Sequence, residues 1–169
     1  MKTVDVLIKA RELITKESTY HNGVHTPGRT RWLIYRKSNG DPTMKLSEAT
    51  CFCSLGAINA AVGADAENNG LGLYSEEALI TEGFYGRTGT YGRTGTKPPT
   101  KTQRAAFSNA SRYLLAAIKR LGYVNNVGEI SFFNDSMRGQ AGHLMVLKAF
   151  DLAIKNAKRR HINGGRLAA

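Results

Sequence analysis

Long apolar runs are missing from this chain. No stretch of about 18 apolar residues occurs, so a membrane-spanning helix is excluded and no membrane partner is expected. The opening residues, Met1-Lys2-Thr3-Val4-Asp5, lack the apolar core of a signal peptide, which points to a cytoplasmic protein. Cysteine is nearly absent: Cys51 and Cys53 are the only two. One residue apart, they cannot easily bridge each other, and no distant partner exists, so both are expected as reduced thiols. Cys-x-Cys without a second pair is a poor zinc signal, and neither metal nor cofactor is expected. Phosphate-binding Walker loops, Gly-x-Ser-x-Gly elbows and zinc-finger spacings are also lacking.

Acid is in short supply. Thirteen Asp and Glu stand against 24 Lys and Arg, a net charge of +11. Such an excess favours a polyanionic partner: nucleic acid, a phosphorylated ligand, or an acidic protein surface. The alternative is a basic surface that serves solubility alone, and clustering of the cations decides between them.

What is present is enough for one folded domain: 169 residues, of which 41% are apolar. Val4, Leu7, Ile8, Leu13 and Ile14 recur at helical spacing over residues 3–17, with Thr3 as the expected N-cap. Tyr20-His21-Asn22-Gly23 turns the chain and Pro27-Gly28 turns it again. Arg31 to Arg36, aromatic and β-branched, reads as a short strand. Leu46 to Val62 reads as a central helix capped by Ser47. Its small residues Gly56, Ala57, Ala60 and Ala61 suit a packing spine on which the first and last helices close. Residues 75–81 read as one or two helical turns.

The segment 84–103 is expected to be a long, mobile, basic Gly-rich loop. Tyr85-Gly86-Arg87-Thr88-Gly89-Thr90 repeats at once as Tyr91-Gly92-Arg93-Thr94-Gly95-Thr96, followed by Lys97-Pro98-Pro99-Thr100-Lys101. One reading is a duplication in a loop that tolerates length. The other is a cationic loop whose tyrosines stack on bases while its arginines follow phosphates. Gln103 to Gly122 reads as a helix with Gly122 as its stop. Residues 129–133 read as a short extended piece. Asn134-Asp135-Ser136 reads as the start of a final helix ending in Lys155, Lys158, Arg159 and Arg160, with 163–169 as a frayed tail. The fold class is therefore mainly α to α+β: a single compact domain, residues 1–162, of about four helices and one or two short strands.

Cys53-Ser54-Leu55-Gly56-Ala57, Phe133-Asn134-Asp135 with the helix through Val146, Phe150, Ala153, Ile154 and Ala157, and the turn from Tyr20 to Gly23 together resemble a known family. It is an uncharacterised domain of unknown function found in actinobacteria, other bacteria and their phages. The resemblance covers both ends and the middle of the chain but not Tyr74 to Thr102. It implies a shared fold and no reaction. By association it suggests a phage protein acting inside a bacterial host cell.

Two chemical constellations stand out. The first is Cys53, His143 and Asn134 or Asp135. A thiol at a helix N-terminus is stabilised as thiolate, a histidine could take its proton, and an amide or carboxylate could orient that histidine. The bland reading makes Cys53 core filler, Asn134 and Asp135 helix caps, and His143 a surface residue of the last helix. The second is His21, Asn22 and His25, which with Asp135 could hold a metal or phosphate, though turn histidines are commonly on the surface. Three functions follow. The leading one is a non-enzymatic protein binding nucleic acid or a nucleotide-like ligand through Tyr85, Tyr91, Arg87, Arg93, Lys97 and Lys101 together with Lys158, Arg159 and Arg160. The others are a cysteine-dependent hydrolase or transferase using Cys53 and His143, and a phage structural component or an inhibitor docking on an acidic host protein.

Overall fold

The computed structural model describes residues 1–21, 35–41, 43, 45–64, 100–123 and 130–164, without the side chains of 161–164. These residues form a mainly helical domain with one two-stranded antiparallel sheet.

Helix α1 (Thr3–Leu13) buries Val6, Leu7 and Ala10, and Ile14 just beyond its end continues the same face. Thr3 is its first helical residue, and Lys2 holds the cap position without a side-chain bond. Asp5 in the first turn complements the helix dipole.

The central helix expected over 46–62 is three pieces. A 3-10 turn spans Leu46–Glu48, a strand β2 spans Cys51–Phe52, and only Ser54–Ala61 forms α2. Pairing decides this. Strand β1 (Tyr35–Arg36) sets Tyr35 opposite Phe52 and Arg36 opposite Cys51. The rings of Tyr35 and Phe52 then meet edge-on, centroids 5.6 Å apart, with Tyr35 wholly buried. The rest of the expected strand, 31–34, lies outside the described residues. Glu48 is held by Lys37 and Thr43, which fixes the 3-10 turn instead of a first helical turn. Ser47 therefore caps nothing, and Cys53 holds the N-cap position.

Every residue of α2 is buried, Ser54 and Asn59 included. Asn59 Nδ2 donates to the Tyr35 hydroxyl and the Ala64 carbonyl, and the Tyr35 hydroxyl donates to the same carbonyl at 2.7 Å. The Asn59 amide and the Tyr35 hydroxyl are thereby paired inside a dry interior.

Helix α3 (Lys101–Arg120) opens on a capping box. Gln103 N–H donates to Thr100 Oγ1, and Thr100 N–H donates to Gln103 Oε1 at 2.8 Å. Gln103 Nε2 also donates to the Val62 and Gly63 carbonyls, tying the start of α3 to the end of α2. The helix thus begins two residues before the expected Gln103, and 101–103 leave the expected loop. Residues 84–99 of that loop lie outside the described residues. Gly122 ends α3 at φ +86°, as its position in the sequence predicts.

Residues 130–136 are not extended. They form α4 (Ile130–Ser136), with Ile130, Phe133 and Asn134 buried at helical spacing. Phe133 packs its ring on Tyr123 at 5.0 Å. Asn134 accordingly ends a helix and does not start the last one. Gly139, at φ +63°, begins α5 (Gly139–Gly164).

Helix α2 packs on α1, α3 and α4, while α5 packs chiefly on α3 and α1. The small-residue spine therefore receives the first helix as expected, with α3 and α4 in the place expected for the last. Arg11 of α1 reaches across to Asp151 of α5, with Nε 2.7 Å from Oδ1 and a second bond from the same guanidinium. Both side chains are partly exposed, so the pair aligns the helices more than it stabilises them.

Gly142 in α5 sits against the backbone of Met137. A Cβ there would meet the Met137 carbonyl carbon and lie 2.8 Å from its Cα. Alanine normally favours a helix over glycine by about 1 kcal/mol. Here neither neighbour is a side chain that can swing away. Gly142→Ala is expected to destabilise the protein by about 2 kcal/mol in urea denaturation, and a gain in stability would contradict this packing.

Candidate functional site

Chemistry-bearing side chains gather where the start of α2 meets α4 and the chain after α1. Cys53 accepts the Gly56 N–H on its sulfur at 3.3 Å. Asn134, reaching over from α4, accepts on Oδ1 from Ser54 N–H at 2.8 Å and from Ser54 Oγ at 2.7 Å. Its Nδ2 donates to the His21 carbonyl at 3.2 Å. One amide thus closes three elements: the first turn of α2, α4, and the segment joined to β2 by the His21 N–H to Phe52 carbonyl bond.

Tyr20 forms the next layer. Its hydroxyl donates toward the Asn134 and Met137 carbonyls at the end of α4. Its ring stacks on the His143 imidazole, centroids 5.1 Å apart. His143 Nε2 lies 2.6 Å from the Ile14 carbonyl, which can only accept, so the proton sits on Nε2. Burial pushes the Tyr20 phenol well above its usual range, helped by the nearby Cys53 and Asp135.

The structure therefore brings Cys53, Asn134, Asp135 and His143 to one region, with Tyr20 as the link. Among their bonds, Cys53 to Gly56 is a local helix cap, while His143 to Ile14 and Asn134 to Ser54 and His21 cross-link separate elements. The expected helix-dipole effect on Cys53 is overridden. Burial drives the thiol up to about 12; the Gly56 N–H opposes this and the Asp135 carboxylate adds to it. A thiol in this state is protonated and shielded at neutral pH. Iodoacetamide at pH 7.5 is expected to label Cys53 at least tenfold more slowly than free cysteine, and labelling at the free rate would overturn this assignment. Cys51, half-buried beside Arg36, is also pushed up by burial.

Of the second constellation, His21 is buried next to this cluster, while Asn22 and His25 lie outside the described residues. Among the described residues no three His, Cys, Asp or Glu converge as metal ligands.

The cationic candidates divide. Tyr85, Tyr91, Arg87, Arg93 and Lys97 lie outside the described residues. Lys101 is exposed at the first position of α3, and Lys158, Arg159 and Arg160 are exposed in the last turns of α5. The structure adds others. Arg112, Lys119 and Arg120 on α3, and Lys148 and Lys155 on α5, are exposed as well. Residues 101–169 hold 12 Lys and Arg against three acids, whereas 1–100 hold 12 against ten. Helix α3 carries no acid at all, and the only one on α5, Asp151, is engaged by Arg11. The missed signal was regional: charge summed over the whole chain hides that nearly all the excess lies in its last two-fifths.

The fold and site define a small helical domain: a buried, thiol-capped helix cross-linked by one asparagine, beside a basic pair of packed helices. The chain belongs to a family of unknown function, DUF6197, whose model matches residues 1–156. No curated protein and no solved structure matches it. Among the described residues no helix is long and apolar enough to cross a membrane.

Proposed function

We propose that this protein binds a polyanion, nucleic acid above all, through the basic pair α3 and α5. The observation that carries this reading is the one-sided charge: ten exposed or partly exposed cations on two helices in contact, with a single, already paired acid between them. Solubility needs no such segregation, since mixed surface charge serves it as well. Phosphate backbones reward it, because each cation that meets a phosphate releases a condensed counterion.

The test is fluorescence anisotropy with a labelled oligonucleotide at rising salt. Affinity is expected to fall steeply, with log K linear in log salt. Replacing Lys148, Lys155 and Arg159 together by Gln should weaken binding about tenfold or more at 100 mM salt. Asp151→Asn should strengthen it about two- to threefold, since it removes the acid from the face and releases Arg11. Affinity indifferent to salt, or no binding even at 20 mM salt, would end the proposal.

A further inference from the structure

The outward arc of α3 narrows the class of nucleic acid, and this step rests on the polyanion reading above. Along 20 residues the exposed positions are Lys101, Thr102, Ala105, Asn109, Arg112, Ala116, Lys119 and Arg120. At 100° per residue, Lys101, Arg112 and Lys119 fall within about 20° of one line, spread over about 27 Å of helix. The residues between them on that arc are small and neutral, so no bulky side chain of the arc itself stands between a partner and the cations.

Two further features limit what this arc can read. First, α3 is packed on α1, α2, α4 and α5, with Ala106, Phe107, Ala110, Ser111, Leu114, Ala117 and Ile118 all buried. Only about a third of its circumference is open. A helix read in the major groove must enter a channel about 8.5 Å deep, which a helix packed against four neighbours and open over only about a third of its circumference cannot do. Second, the arc has no aromatic side chain. Tyr113 packs against the core, and Tyr123, past the end of the helix, is engaged with Phe133. Single-strand binders depend on exposed rings on which bases stack. A row of cations without rings or groove access is left with backbone phosphates, and these are densest on a duplex, about one charge per 1.7 Å of axis.

We propose that Lys101, Arg112 and Lys119 on the outward arc of α3 bind the phosphate backbone of duplex nucleic acid from outside the grooves, without regard to sequence.

The experiment uses the full chain, two unrelated 30-base-pair DNA duplexes and one of their single strands, at 50–200 mM salt. The duplexes are expected to bind within about twofold of each other and at least fivefold more tightly than the single strand. The triple variant Lys101→Gln, Arg112→Gln, Lys119→Gln changes exposed positions only; circular dichroism checks its helix content. Its salt slope on duplex should be shallower by about 2.7. A preference for the single strand, a tenfold difference between the duplexes, or an unchanged slope in a folded triple variant would overturn the assignment to α3. In each of those cases salt-dependent binding persists and the polyanion reading stands. Failure to bind any of the three probes would remove both.

Discussion

Asn134→Ala is expected to cost about 3 kcal/mol of folding stability. The side chain is 2% exposed and makes three hydrogen bonds. Truncation does more than delete them. It leaves the Ser54 N–H at the first position of α2, the Ser54 hydroxyl and the His21 carbonyl buried and without the amide that serves them. A buried group left unsatisfied costs about 1–3 kcal/mol, well above the net worth of a made bond. Partial relaxation keeps the total nearer one such cost than three. Asn134→Asp separates the two halves of the amide. It keeps an acceptor for Ser54 but places a second carboxylate next to Asp135 and loses the donor to His21. It should be as destabilising at pH 7 as alanine, and recover as pH falls and the new carboxyl protonates. Chemical denaturation at pH 7 and pH 4.5 checks both. A loss below about 1 kcal/mol for alanine would mean that Asn134 is not the clamp.

That clamp shows how far the sequence could be read. The cap chemistry of Asn134 is legible from its residue type, but the helix it serves is not. An asparagine just after two aromatics and before Asp135 and Ser136 points forward to the next helix, whereas its oxygen serves Ser54, 80 residues earlier in the chain. The same applies to Cys53. Cysteine is not among the usual N-cap residues, so Ser47 drew the cap assignment. The helix start was in fact fixed by β1, which holds Cys51 and Phe52 extended and so delays the first turn to Ser54. Local periodicity did locate α1, α3 and the long apolar face of α5, where burial follows the 3.6-residue repeat without outside help. It failed for α4 because a seven-residue element rich in aromatics satisfies strand and helix patterns alike. Its helical state is decided by contacts of Phe133 with Tyr123 and of Tyr20 with the carbonyls at its end.

Alkaline conditions should unfold this protein earlier than its cations alone would suggest. The folded state raises the Cys53 thiol from 9.0 to about 12 and raises the Tyr20 phenol as well, burial being the first cause in both. The neutral forms are thus favoured in the fold. Once the pH passes the ordinary thiol range, the unfolded chain releases its proton while the folded chain keeps it. The folded state then binds more protons, so stability falls as pH rises. For Cys53 the window runs from about pH 9 to about pH 12, and the fall is steepest inside it, on the order of 1 kcal/mol per pH unit. Above about pH 10, where unfolded tyrosine titrates, Tyr20 steepens the fall. Cys53→Ser separates this from general base effects. It keeps an oxygen to accept the Gly56 N–H but removes the titrating thiol, so ΔG between pH 9 and 10 should lose about 1 kcal/mol less than in the parent chain. Equal slopes in the two proteins would show that the thiol is accessible in the fold and would reopen Cys53 as a nucleophile. A flattened slope in the variant would keep Cys53 as the buried cap of α2, whose protonated state belongs to the fold.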